Sequence, residues 1–398
     1  MEEMDLHDKL FYKMEECNSI FSNTIVLRIE IDGVLNTKVC KEKIRELIIN
    51  YPKLSMIVEN MLWKKVDVDI NNHLIEINRD KESIKNIINE IINKSFIECI
   101  PKWIVYNINC SDDNKSLIIM KMHHSYGDGD KCTEMLSSIG DVEKEPIKAG
   151  SSNNVKEGYL MRICKSIYYF IVSFCMLVHF ILFFKKEKIF AEPHTESEAV
   201  YCNIYNFNLD KLKLKKTELG ITMNDLLYGI ILKSIRKYAN KEVHLSSCSI
   251  INLRKIKTST EANNFSLIVF STPVDNRNTF DKIHHQMNCY KNSPIVLFMN
   301  KVLNCIAYFS CDLLSKFLTY IFEKNNFGYS CYNTKIKTFK IAGKKVKSIG
   351  NIIIPYKQDV FFSLLTYGDN IQLNICYRKG ILDEKIFKEC VSDVYNEL

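Results

Sequence analysis

The stretch from Ser116 to Asp130 constrains the fold more than any other. Ser116 to Met122 (SLIIMKM) is a short apolar run that reads as a buried strand, and it delivers the chain directly into His123-His124-Ser125-Tyr126-Gly127-Asp128-Gly129. A strand end followed by a glycine-rich turn presents an imidazole without a flexible loop. Gly129 leaves room for backbone to approach, and Asp130 is placed to cap a helix over Lys131 to Ile139.

The same alternation of strand and helix runs through the rest of the chain. Thr24 to Ile31 reads as a strand, Thr37 to Ile49 and Asp80 to Ile92 as helices. Thr222-Met223-Asn224-Asp225 has the Ser/Thr-x-x-acid form of a helix start, continued by Leu226 to Tyr238. Val360 to Tyr367 and Ile371 to Tyr377 flank Gly368-Asp369-Asn370 as a hairpin, with Ile371, Leu373, Ile375 and Tyr377 on one face and Gln372, Asn374 and Cys376 on the other. Lys385 to Leu398 closes as a helix. Interleaved elements favour an α/β class. A chain of 398 residues exceeds one ordinary core and suits two domains of about 150–200 residues. Residues 1–150 and 196–398 are the expected halves, joined by a linker over 151–195.

That linker holds the other unusual segment. Ser166 to Phe184 is 19 residues without a formal charge apart from the titratable His179, flanked by Lys165 on one side and Lys185, Lys186 and Lys188 on the other. Its length is near the minimum for crossing a bilayer, and Tyr168, Tyr169 and the lysines suit an interface. A single span, an interfacial or hairpin insertion, and a buried core helix all fit. Lys301 to Phe322 is also amphipathic and apolar, with Asp312 and Lys316 sharing a face; it reads as core, with a membrane-surface role as the alternative.

Composition narrows the classes. The formal charge of +7 is spread along the chain, which gives no arm or stripe for nucleic acid. The 15 cysteines lack paired spacing and are expected to be reduced, buried thiols facing cytosol. No ligand spacing for a metal is found. Met1 to Lys13 is charged and lacks an apolar core, so no signal peptide is expected.

Chemistry centres on His124. An alcohol must lose its proton as it attacks a thioester, and an imidazole titrating near neutrality can take it, help typically worth about 10²–10⁴ in rate. Asp128 can fix the turn or hold a partner arginine. A histidine pair near an aspartate is also met as a surface coincidence or a satisfied hydrogen-bonding cluster. His284-His285, which lacks the Asp-Gly and sits in a polar helical stretch, reads as structural.

HHSYGDG resembles the His-His-x-x-x-Asp-Gly signature of the wax ester synthase/diacylglycerol acyltransferase family, shared in looser forms with condensation domains and carnitine and chloramphenicol acyltransferases. Trp63 to Ile77, with His73, is similar to the family's Asp-rich segment ending in a histidine. Pro101-Lys102-Trp103 resembles its Pro-Leu-Trp motif, with Lys102 for the leucine. Thr222 to Asp225 matches its Asn-Asp helix start, Ile251 to Arg254 its strand ending in Leu-Arg, and Asn263-Asn264-Phe265 through Pro273 its Gly-Asn and apolar strand. Ser330 to Lys337 keeps little of the usual Ser-Asn-Val-Pro-Gly-Pro, although Ala342-Gly343 is in place, and the Gly127 slot is usually larger. These departures bear on substrate choice.

The resemblance implies two chloramphenicol-acetyltransferase-like halves with mixed sheets, a tunnel between them, and an inserted apolar membrane segment at 166–184. It implies a CoA-dependent O-acyltransferase with His124 as base and His123, Asp128 and Gly129 completing the motif. Acyl-CoA would be co-substrate, a long-chain alcohol or diacylglycerol the acceptor, and no cofactor permanently bound. An Asp128–Arg254 pair is expected as a clamp; Asn224 is a candidate oxyanion donor, or a helix-capping residue. The expected location is the endoplasmic reticulum or lipid-droplet surface, with the catalytic domain facing cytosol. Another alcohol or amine acceptor, or a silent lipid-binding relative, is the alternative.

Overall fold

The computed structural model describes residues 1–17, 23–78, 84–110, 114–144, 159–191, 198–253, 263–275 and 278–398. Two mixed sheets dominate. The seven-stranded sheet runs Leu74–Asn78, Trp103–Cys110, Lys115–His123, Thr24–Asp32, Lys344–Ile353, Ile336–Ile341, Asp141–Lys144. The six-stranded sheet runs Phe265–Val274, Val243–Asn252, Phe327–Asn333, Val360–Tyr367, Asn370–Arg378, Ala199–Asn208. A small third sheet joins Glu2–Glu3, Leu62–Lys65 and Met56–Glu59. The expected α/β class with mixed sheets is what the chain adopts.

Side-chain alternation explains why Ser116 to Met122 is apolar throughout. Ile118, Met120 and Met122 enter the core under helices Thr37–Asn50 and Gly129–Ser138, while Leu117 and Ile119 enter the opposite core with Ile87, Ile88, Ile91 and Ile92 of helix Ile84–Asn93. A strand covered on both faces has no solvent side to make polar. Its one charge, Lys121, is buried and donates from Nζ to the carbonyls of Ile91 and Lys94, capping that helix. Residues 79–83, the first part of the expected Asp80–Ile92 helix, lie outside the described residues.

Sequence order does not confine the halves. Lys344–Ile353 pairs antiparallel with Thr24–Asp32, placing Ile349 opposite Ile29, so two strands from late in the chain complete the seven-stranded sheet. The hairpin pairs as expected, Phe362 opposite Ile375. Its Gln372–Asn374–Cys376 face is buried, because it meets the other sheet: Cys376 packs in one cluster with Val26 and Ile352 of the seven-stranded sheet. Helix Met223–Ala239 begins with the reciprocal capping box of Thr222 and Asp225.

The run Lys301 to Phe322 proves to be two helices, Ile295–Ile306 and Cys311–Glu323, the second opened by a Ser310 cap. Asp312 and Lys316 do pair, at 2.8 Å. All fifteen cysteines are free, but Cys99, Cys164, Cys175, Cys305 and Cys311 are exposed, which corrects the expectation of uniformly buried thiols. The last four of these sit on helices whose outer faces are apolar, so their exposure follows from that surface.

Candidate active site

Strand Lys115–His123 ends on two histidines with opposite surroundings. His123 is fully buried, and its Nδ1 accepts the Ser125 amide proton at 3.2 Å. The ring's own proton therefore sits on Nε2, 2.6 Å from Glu15 Oε2. Burial holds His123 below its ordinary pKa, hence neutral. Burial alone would raise Glu15, but His123 and Lys102, whose Nζ lies 3.0 Å away, outweigh it and bring the carboxyl down to about 2.

His124 opens a single 3₁₀ turn, His124–Tyr126, and is only partly covered. Its amide donates to Asn23 O at 2.7 Å, and its ring Nδ1 lies 3.0 Å from Asn263 Oδ1. Phe11 stacks on the imidazole at 3.9 Å between centroids, and Phe265 tilts against it at 5.9 Å. Loss of hydration lowers the His124 pKa to about 4, while the Asp128 charge, its own carbonyl and Asn263 pull the other way. Such a ring is neutral at physiological pH and able to accept a proton.

Asp128 is a clamp. It is the N-cap of helix Gly129–Ser138, with Oδ1 accepting from Lys131 N at 3.1 Å, so the cap is Asp128 and not the expected Asp130. Asp130 instead accepts from the Asn252 side chain. Asp128 Oδ2 accepts from Asn264 N at 3.1 Å, which ties the histidine turn to the six-stranded sheet. Arg254, the expected partner, lies outside the described residues. Asp128→Ala is expected to lower stability by about 1–3 kcal/mol, because a cap goes and the buried Asn264 amide loses an acceptor. Calorimetry checks this; an unchanged melting midpoint would refute it.

Gly129 does not meet expectation. A Cβ there would find Tyr332 Cγ at 3.9 Å, ordinary contact, so no protein backbone needs the space. Asn224 follows the cap residue Thr222 in the first turn; its Oδ1 accepts from Tyr329 Oη at 2.9 Å and its Nδ2 faces Met287 Sδ at 3.8 Å. Its described hydrogen bonds do not reach the His124 turn, and capping falls to Thr222 and Asp225.

Other motif residues come together as pairs. His73, 1% exposed, stacks on Trp103 at 4.0 Å, with Nδ1 2.7 Å from the Trp103 carbonyl. Lys102, where a leucine was expected from the resemblance, reaches Glu15. His284 is structural: Nδ1 contacts Asp225 Oδ2 at 2.7 Å and Nε2 contacts Asn288 at 2.9 Å.

Sequence reasoning missed the N-terminal helix Leu6–Cys17, which bridges both halves over the histidines. Leu10 and Met14 pack with Leu303, Ile306, Leu314 and Leu318, while Asp8 pairs with Lys53 and Glu15 with Lys102. The available signal was His7, Leu10 and Met14 at helical spacing, obscured by the charges between them.

The mixed two-sheet fold with this histidine turn between its halves is also the fold of condensation domains. The first condensation domain of the calcium-dependent antibiotic synthetase superposes with a TM-score of 0.64 at 7% identity, covering 99% of this chain and 94% of its own. The starter condensation domain of rhizomide synthetase, in complex with C8-CoA, gives 0.60 at 7% identity, covering 99% and 93%. The wax ester synthase/diacylglycerol acyltransferase from Marinobacter aquaeolei VT8 gives 0.67 at 14% identity, covering 100% and 98%. These are likenesses of fold.

Residues 261–398 match the family model of the WS/DGAT C-terminal domain. Wax ester synthase/diacylglycerol acyltransferase 7 of Arabidopsis thaliana is 21% identical over 242 residues, 52% of this chain and 50% of its own length. Wax ester synthase/diacylglycerol acyltransferase 11 of the same plant is 24% identical over 259 residues, 52% of each. The chain thus spans about half the length of the curated relatives it matches. Its similarity to the wax ester synthase/diacylglycerol acyltransferase family rests on the C-terminal domain match over residues 261–398 and on relatives 21–24% identical.

Proposed function

We propose that the protein is an acyl-CoA-dependent O-acyltransferase that makes neutral lipid esters, wax esters or triacylglycerol, from a long-chain alcohol or diacylglycerol. The carrying observation is the neutral, partly exposed His124, anchored through Nδ1 at the junction of the two halves. In this reading Nε2 takes the hydroxyl proton as the alcohol oxygen attacks the thioester carbonyl carbon. The carbon–sulfur bond then breaks, and the proton passes to the departing CoA thiolate. Transfer is direct, with no acyl-enzyme. Acyl-CoA as donor is supported by the likeness to a domain that binds C8-CoA. His123 and Asp128 hold the turn rather than react. Asn224 keeps amide donors not spent on a strong acceptor, and is the candidate for steadying the oxyanion.

Lipid substrates fit a membrane address, which we also propose, at the endoplasmic reticulum or lipid-droplet surface. Helix Tyr159–Phe183 leaves Met161, Ile163, Ile167, Tyr168, Ile171, Phe174, Leu182 and Phe183 exposed, and its neighbours add Leu297, Phe298, Tyr308 and Leu313. An apolar surface of that extent suits a lipid interface.

The test offers purified protein labelled palmitoyl-CoA with hexadecanol or diacylglycerol, separately. Ester from one or both is expected, and the ratio assigns the acceptor. No ester with either, alongside lipid that co-purifies with the chain, would favour a binding protein instead.

A further inference from the structure

Around His124 lies a hydrogen-bonded chain that reaches the N-terminal helix. Asn263 is 0% exposed, and both ends of its amide grip His124: Oδ1 lies 3.0 Å from the ring Nδ1, and Nδ2 lies 2.8 Å from the main-chain oxygen. Nδ2 is also 2.8 Å from Oδ1 of Asp8, itself 0% exposed and paired with Lys53. A carbonyl oxygen and a carboxylate both accept, so the amide atom facing them must be the nitrogen that donates. The other end is then an oxygen, which can only accept. His124 must meet it with Nδ1–H, leaving the lone pair on Nε2.

We infer that Asn263, oriented by Asp8, is a positioning residue that fixes His124 in the tautomer whose Nε2 can receive a proton. The role rests on the proposed function, since a tautomer matters only if the ring reacts. Neither residue touches the reacting atoms. Asp8 acts at one remove, through the amide, and its helix also supplies the Phe11 ring that stops the imidazole from rotating. Lys53 balances the Asp8 charge, so the carboxylate can stay buried beside the amide. The free imidazole would otherwise distribute its proton between both nitrogens, and the fraction carrying it on Nε2 would be unable to act as base. A third group that orients a histidine in this way is a recurrent part of base-assisted nucleophilic sites.

The experiment pairs turnover with ¹⁵N spectra of protein labelled at histidine, the His124 signal being assigned by its loss in His124→Gln. The wild type is expected to show a pyrrole-type Nδ1 and a pyridine-type Nε2. Asn263→Leu is expected to move that pattern toward the other tautomer and to lower kcat about 10–100-fold, with KM for palmitoyl-CoA within about twofold. Asp8→Asn, which can face Asn263 with either end of its own amide, is expected to give a smaller fall in kcat. A wild-type spectrum with the proton on Nε2 overturns the inference, as does a folded Asn263→Leu protein with kcat within about twofold of wild type. If Asn263→Leu does not fold, the wild-type spectrum and Asp8→Asn decide. If the wild type makes no ester, the enzyme reading fails alone, because the spectrum still reports on the tautomer.

Discussion

Replacing His124 by alanine is expected to lower ester formation about 10²–10⁴-fold in a preparation that stays folded. The ring is the one group at the turn placed to take a proton. His123 spends both nitrogens, on Ser125 and Glu15, and Asp128 is occupied by two backbone amides. The loss should fall on kcat rather than KM, since proton removal belongs to the transition state and adds little to substrate binding. Truncation leaves Asn263 Oδ1 without its donor, so part of the change will be a stability loss, which a melting curve separates from catalysis. A variant that melts like wild type and keeps more than about a tenth of its activity would remove His124 from the mechanism.

The same residue sets a pH signature. Burial lowers its pKa from 6.5 to about 4, and the neutral form is the base. Activity of the free enzyme should therefore hold as pH falls through 6.5 and decline only near 4. An acid limb at 6.5 would place the ring in open water and contradict this packing. Stability follows the corresponding sign: in the unfolded chain His124 protonates near 6.5, while the folded protein resists until about 4. Stability is full above 6.5 and is lost as pH falls through that window. His73 and His123, lowered by the same desolvation, add in the same direction. Denaturant titrations at pH 7 and pH 5 should show a lower midpoint at pH 5.

Much of this was legible in the sequence, and what was not has physical causes. The strand into His124 was readable because a buried strand has no polar face, and Met223–Ala239 because its cap is local. Short-range rules could not show that Lys344–Ile353 pairs with Thr24–Asp32, since that register links segments three hundred residues apart. They also hid the partners of His124. Asp8 and Asn263 are polar and would be assigned to solvent, yet both are buried because each satisfies the other. The Asp128–Arg254 pairing was expected because a carboxylate there serves better as a clamp than as an acid, and Arg254 lies outside the described residues. Asp128 also accepts from two backbone amides, one of which the helix cap implies.

On the proposed membrane address, introducing glutamate at Ile167 and Ile171 together is expected to abolish binding to lipid vesicles. Helix Tyr159–Phe183 has 25 residues, a length of roughly 37 Å, enough to cross a hydrocarbon core of about 30 Å. Its packing argues for a different placement. Ser173 and Phe180 are buried, Phe170 and Phe174 stand edge-on to Phe298, and Tyr320 Oη donates to the Ile181 carbonyl at 2.7 Å. One face is thus docked along the six-stranded half, and the opposite face, with Ile163, Ile167, Ile171 and Leu182, is open along the helix. A perpendicular span would drag the docked strands and helices into lipid, where their polar groups lack water. The helix lying in the interface plane avoids that. Each exposed isoleucine contributes up to about 1.5–3 kcal/mol when buried in lipid, so losing two should weaken partitioning about 10²-fold or more. Sedimentation with phosphatidylcholine vesicles measures it, and Ile386→Glu, on the exposed face of helix Glu384–Asn396, serves as a control that should still bind. Wild-type protein should also be stripped from membranes by alkaline carbonate, as an interfacial protein is and a spanning one is not; retention in the pellet would favour the span.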